Sequence, residues 1–297
     1  MHTDYKLNRY RPSPDALLNP CSDEVFKALF TNESEESRTA LRCFLTAVLH
    51  KEVKNIELRP NEPPVLDDSD KAVRFDVSCT FNNGEAADVE MQGVNKYSSF
   101  GMRAEYLSAR LLNTVFHKGD DWQTMPQVYQ ISLLNFIFDK NDPAAVGYYH
   151  MQKDNGHLLS GIQTVIFLEL PKIDALGNVP PETLHSEEKW CKFLVDADNP
   201  SKQDYINRLT ASDGGIMEAK KTLDKISSDW VLWKRELDKE VIERDHNSEL
   251  HYAQKQGLQQ GTLQAKRDVA HNFKALGVPV QTIAQATGLS EDEIAEL

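Results

Sequence analysis

Between residues 75 and 92 the sequence reads FDVSCTFNNGEAADVEMQ, and its acidic positions are of the type that binds a hard cation. Phe75, Val77, Cys79 and Phe81 alternate with Asp76, Ser78 and Thr80. Beyond Asn82-Asn83-Gly84, Ala87, Val89 and Met91 alternate with Asp88, Glu90 and Gln92. A period of two is the signature of a strand, and the Asn-Asn-Gly run is turn chemistry, so the stretch predicts a hairpin. A two-residue type I′ loop at Asn83-Gly84 would set Asp76 against Met91. A three-residue loop with Gly84 left-handed sets Phe81 against Glu85 and Asp76 against Glu90. Only the second gathers both apolar sets on one face, because a slip of one residue splits them. The polar face then pairs Arg74 with Gln92, Asp76 with Glu90 and Ser78 with Asp88. Like charges directly across a sheet are destabilising, and one of the two would tend to pick up a proton. A bound Mg²⁺, which keeps several waters and takes only one or two carboxylates, would remove the repulsion. The residues alone leave a second reading open, a solvated face whose acids relax into water.

The elements that must hold this hairpin are legible on either side of it. In SDEVFKALFTNESEESRTALRCFLTAVLH, Ser22 is placed to cap a first helix carrying Val25, Phe26, Leu29 and Phe30. A second helical run carries Leu41, Phe44, Leu45, Val48 and Leu49. EVKNIELRP is a short strand ended by Pro60, and the prolines and acids of 61–72 predict a loop. After the hairpin, residues 97–119 form a helix with Leu107, Leu111, Leu112, Val115 and Phe116 on its apolar side. Residues 127–138 and 162–170 are strands apolar enough to be buried on both faces. Strands with helices before, between and after them imply an α/β sandwich. From about Pro181 the pattern is helical to the end, with a boundary expected near Gly214-Gly215. That division gives a domain over 1–215 and a helical tail over 216–297.

At 297 residues, with 40% hydrophobic and 27% charged side chains, a packed core is within reach. No apolar run is long enough for a membrane span, and the first twenty residues lack the apolar region of a secretory signal. Cys21, Cys43, Cys79 and Cys191 form no CxxC pair, which argues against zinc and against a disulfide framework. A cytoplasmic chain with reduced thiols is the expectation. The net charge of −13 argues against a broad nucleic-acid footprint but not against a local basic groove. No HExxH, GxGxxG or Walker pattern is present.

Asp76 followed, after thirteen intervening residues, by Glu90-Met91-Gln92 resembles the D…ExQ form of the PD-(D/E)XK nuclease motif. DEVFKALF, FDVSCTF…ADVEMQ, Arg103 with Tyr106, VYQISLLNFIF and the ending LGVPVQTIAQATGLSEDEIAEL are similar, in order, to the recombination-promoting nuclease and transposase family of that superfamily. The resemblance implies a restriction-endonuclease-like core, with a central mixed sheet flanked by helices. It also implies hydrolysis of DNA phosphodiesters that depends on Mg²⁺ or Mn²⁺. Asp76 and Glu90 match the metal-binding acids, Asp23 matches the acid of the first helix, and Gln92 stands where the superfamily usually carries lysine. A neutral amide can orient a water or a phosphate but supplies no positive charge. Arg103 and Arg110, on one face of the following helix, are candidate ligands for flanking phosphates, although a solvated helix face also explains such a pair. An inactive nuclease fold kept for DNA binding or protein interaction is the alternative from another class.

Two readings concern the tail. QTIAQATGLSEDEIAEL has a helix-turn-helix layout, with Gly288 at the turn and Ser290 as cap, but its second helix offers Glu291, Asp292, Glu293 and Glu296. Groove-reading helices present basic or amide side chains, so a structural or protein-contact role is expected. Gly257 and Gly261, four apart in a helix, suit close approach of a second backbone, as in a homodimer, and a frayed linker helix is the other reading.

Overall fold

A computed structural model describes residues 11–62, 73–93 and 99–297. The greater part of the loop expected over 61–72 and the start of the helix expected at 97 lie outside them. The chain divides into two compact units, one ending at Glu236 and one from Leu237 to Leu297. The helix Gly214–Ile226, at the expected boundary, buries Ile216, Ala219, Leu223 and Ile226 in the core of the first unit.

The first unit is built on a six-stranded mixed sheet. In chain order its strands are β1 (Glu57–Leu58), β2 (Val77–Phe81), β3 (Glu85–Gln92), β4 (Val128–Leu134), β5 (Val146–His150) and β6 (Gln163–Glu169), and they lie side by side as β1-β2-β3-β4-β6-β5. β3, β4 and β6 run parallel, while β1, β2 and β5 are antiparallel to their neighbours. Every residue of β4 is buried, as the apolar run of 127–138 predicts for a central strand covered on both faces. β5 escaped the sequence reading. Its Val-Gly-Tyr-Tyr-His is half polar and lies at an edge, where one side needs no apolar cover.

One face of the sheet rests on α1 (Asp23–Thr31), α2 (Glu35–Leu49), α5 (Ser186–Asp196) and α7 (Gly214–Ile226), with α4 (Leu170–Asp174) and α6 (Gln203–Ser212) completing that layer. The rings of Phe30 and Phe44 lie 6.3 and 5.5 Å from that of the fully buried Trp190. Burial of each such ring contributes roughly 1.5–3 kcal/mol. Ser22 precedes α1 in extended conformation, yet its hydroxyl makes no capping bond and donates instead to Glu236. The opposite face is covered by α3 (Phe100–Asn113), whose Leu107 and Leu111 pack on Ala86 and Val128, and whose Phe100 and Ala104 pack on Leu134 and Phe167.

The second unit holds the later part of the long helix α8 (Trp230–Ala275), followed by α9 (Val280–Thr287) and α10 (Glu291–Ala295). Ala270, Ile283, Leu289 and Ile294 form its small core. Gly288 is left-handed at the end of α9, and Ser290 and Glu293 form a capping box, as the sequence suggests. A side chain at Gly257 or Gly261 would meet no described atom within 4 Å. No helix among the described residues is long and apolar enough to cross a membrane, and all four cysteines are free.

Gly215 is where α7 meets α2. A Cβ there would stand 2.2 Å from Cys43 Cβ and 3.1 Å from the Trp190 ring, whereas one at Gly214 would touch nothing. Gly215→Ala is expected to lower unfolding stability by about 1–3 kcal/mol, with Gly214→Ala neutral or slightly stabilising, as read from urea midpoints.

Candidate functional site

The hairpin takes the register that the apolar pattern demands. Val77 pairs with Val89, Ser78 with Asp88 and Phe81 with Glu85, and Gly84 is left-handed at φ 89°. Pairing stops at Val77, however, and Asp76 lies just outside the ladder. Its neighbour Phe75 does not continue the apolar face of Val77 and Cys79. Phe75 packs instead with Ala86, Leu107, Leu111 and Val128, beneath α3. The chain therefore turns at Asp76, and the carboxylate is fixed by accepting the Met91 backbone N–H at 3.3 Å. This bond ties Asp76 to the residue next to Glu90.

The polar face of β3 is buried. Asp88 is 0% exposed and Glu90 2%, because α3 lies over that side of the sheet. β4 supplies a polar row beneath them, Gln130 beside Asp88 and Ser132 beside Glu90, both fully buried. Gln130 Nε2 donates to Asp88 at 2.9 Å. The solvated-face reading therefore fails for Asp88 and Glu90. Burial, then the neighbouring Glu90, push the Asp88 carboxyl well above the usual carboxylate range. Burial raises Glu90 to about 7, with Asp76 adding to the rise and Arg103 opposing it. Asp76 is also raised by burial, against the pull of Lys27.

Two cations meet the acids from two different helices. Lys27, on α1, lies 2.9 Å from Asp76 and 3.0 Å from Asp23, so it bridges the two carboxylates. Burial works against its ammonium, yet the paired acids hold its pKa above the ordinary lysine value. Arg103, on α3 and half exposed, lies 3.4 Å from both Glu90 Oε1 and Gln92 Oε1. The structure thus gathers Asp76, Glu90, Gln92, Asp23 and Arg103 at the end of β3. Arg110 is elsewhere: two turns further along α3, it is buried and lines a cavity with Ser78 and Arg59. Lys27, Gln130 and Ser132 escaped the sequence reading. Lys27 was signalled by its position four residues after Asp23 on a helix, and the other two by a polar period of two inside an otherwise apolar strand.

A cation-binding role fits these residues in one respect. Among the described residues no hydrogen bond reaches Glu90 Oε2, a buried oxygen at the end of a strand beside a second carboxylate. No group of three His, Cys, Asp or Glu side chains among them is arranged as a ready metal cage. Two carboxylates with water completing the shell is the donor set Mg²⁺ ordinarily accepts. Asp23 and Lys27 border a cavity of ≈ 670 Å³ that Arg74, Lys225 and Arg235 also line.

The six-stranded mixed sheet flanked by helices is consistent with the core of a PD-(D/E)XK nuclease. A family model described as PD-(D/E)XK nuclease family transposase matches residues 20–253, and the chain belongs to that family. No curated protein and no solved structure matches it significantly.

The raised pKa of Glu90 predicts a pH dependence. Between the ordinary glutamate range and pH 7 the folded chain holds a proton that the unfolded chain has released, so stability falls as pH rises through that window. In EDTA, Glu90→Gln, which cannot ionise, is expected to be more stable than wild type by roughly 2 kcal/mol at pH 8. The difference should shrink towards pH 4, as followed by urea unfolding at each pH.

Proposed function

We propose that the chain is a DNA endonuclease that hydrolyses phosphodiester bonds with a divalent cation, Mg²⁺ or Mn²⁺, in recombination or transposition. The observation that carries this reading is the buried Glu90 beside the half-buried Asp76 at the end of β3, with Glu90 Oε2 accepting no hydrogen bond among the described residues. Asp76 and Glu90 are assigned to hold the cation, with Asp23 reaching it through water. When bound, the cation supplies Lewis-acid polarisation of a phosphoryl oxygen and lowers the pKa of a water.

The remaining work falls to side chains around the pair. Gln92, held against Arg103, orients the attacking water or a phosphate oxygen. Arg103 is half exposed and able to leave Glu90 for the scissile phosphate, a charge-assisted contact. Lys27 supplies the positive charge that a glutamine at 92 cannot. Already 2.9 Å from Asp76, it is placed to stabilise negative charge that develops on the phosphate. Asp88 stays protonated behind Glu90 and serves packing and hydrogen bonding, not cation binding. Around Lys27 the cavity sets Arg74, Lys225 and Arg235 against Asp23, Glu24 and Asp229, so its lining is mixed in charge with a small excess of bases. A paired second chain would bring a second site for the opposite strand.

A plasmid-nicking assay in Mg²⁺, Mn²⁺ or EDTA tests the reading. Asp76→Asn and Glu90→Gln are expected to lose cleavage by several orders of magnitude, and Lys27→Met by about 10²–10³, near the effect of losing one transition-state donor. Asp88→Asn should retain most activity, since a neutral carboxyl and an amide differ little in size and charge. Cleavage by wild type in EDTA, or by Asp76→Asn near the wild-type rate, would overturn the assignment.

A further inference from the structure

The acid pair accounts for only one side of the hairpin. Ser78, two residues beyond Asp76 and paired with Asp88, lines a separate cavity of ≈ 750 Å³ beneath the end of α3. Among the described residues, Arg59, Arg110, His117 and Lys118 also line it, with Glu62 as the acid. Arg59 is anchored there, donating to the Thr114 carbonyl at 2.7 Å, which offsets the negative end of α3 and keeps the cavity basic. Phe116 forms part of the wall and packs against the ring of Trp122, with centroids 5.3 Å apart. Trp122 is 77% exposed, a large apolar surface for a side chain of that size to leave in water. The segment presenting it is tied down: the His117 N–H donates to Asp120 at 2.7 Å, and the Gln123 N–H to Asp121 at 2.9 Å.

Guanidinium and ammonium groups in a concave site, next to an exposed and braced aromatic ring, are what an unpaired nucleotide needs. The cations take its phosphate and the ring takes its base, without regard to sequence, because every base has a π-face. A base inside a duplex could not reach such a ring without leaving its stack. We propose that this cavity and Trp122 form a subsite for an unpaired nucleotide of the strand whose phosphodiester lies at Asp76 and Glu90. The site would direct the enzyme to DNA with a single-stranded segment beside the cut. The inference rests on the nuclease reading for its geometry but has its own readout.

The test measures binding by the full chain in EDTA, using fluorescence anisotropy of a labelled single-stranded oligonucleotide and of a blunt duplex of the same sequence. Wild type is expected to prefer the single strand. Trp122→Ala is expected to weaken single-strand binding about ten-fold, Trp122→Phe to restore most of it, and duplex binding to stay unchanged. Lys118→Ala should weaken single-strand binding and flatten its salt dependence. Both side chains are exposed, so the variants should keep the wild-type fold, which circular dichroism checks. Equal single-strand affinity of Trp122→Ala and wild type, or no single-strand binding by wild type, overturns the subsite. The expected binding pattern without cleavage in Mg²⁺ or Mn²⁺ would support the subsite while removing the nuclease reading.

Discussion

Asp76, Asp88 and Glu90 are drawn together at one end of a sheet, the last two almost without water. Removing an ionised carboxylate from water costs several kcal/mol unless a counter-charge or a proton compensates. The surrounding architecture answers that cost at each acid in a different way. Asp88, the deepest, has its carboxyl pushed well above the usual range by burial and accepts a hydrogen bond from Gln130. Asp76, at the rim, takes the ammonium of Lys27. Glu90, between the two, has Arg103 on one oxygen and no described hydrogen-bond partner on the other. A counter-charge thus answers the cost at the outermost acid and a raised pKa at the innermost, with Glu90 between them.

The sequence makes part of this arrangement plain. The hairpin register follows from one constraint, since a slip of one residue would split the apolar residues of β2 and β3 between two faces. β4 and β6 are legible for the same reason, as apolar runs of strand length. Asp76 is harder, because alternation extends to Phe75 on paper while the chain turns at Asp76 and sends Phe75 beneath α3. Local periodicity cannot show where a ladder stops. Arg103 was legible as a candidate, but its contact with Glu90, like that of Lys27 with Asp76, joins a helix to a strand end and needed three dimensions. β5 carries too little apolar character to be distinguished from loop, because an edge strand needs so little.

Net charge is a poor guide to this molecule. Arg74, Lys225 and Arg235 surround the cavity beside Lys27, while Arg59, Arg110 and Lys118 line the one beneath α3. An excess of thirteen acidic charges over the whole chain coexists with a cavity beneath α3 whose described lining is mainly basic, and with one of mixed charge beside Lys27. At physiological salt, charges more than about 8 Å away are largely screened, so a phosphate in either cavity responds mainly to its immediate neighbours.

If Asp76 and Glu90 take a divalent cation, its binding must displace the proton that burial holds on Glu90. Calorimetric titration of the chain with Mn²⁺ at pH 6.5, repeated in buffers of different ionisation enthalpy, counts the protons released as the ion binds. With Glu90 raised to about 7, a good part of one proton should leave per ion bound, and the release should fall towards zero at pH 8.5. Binding with no proton release at either pH, or no binding at millimolar Mn²⁺, would contradict the account.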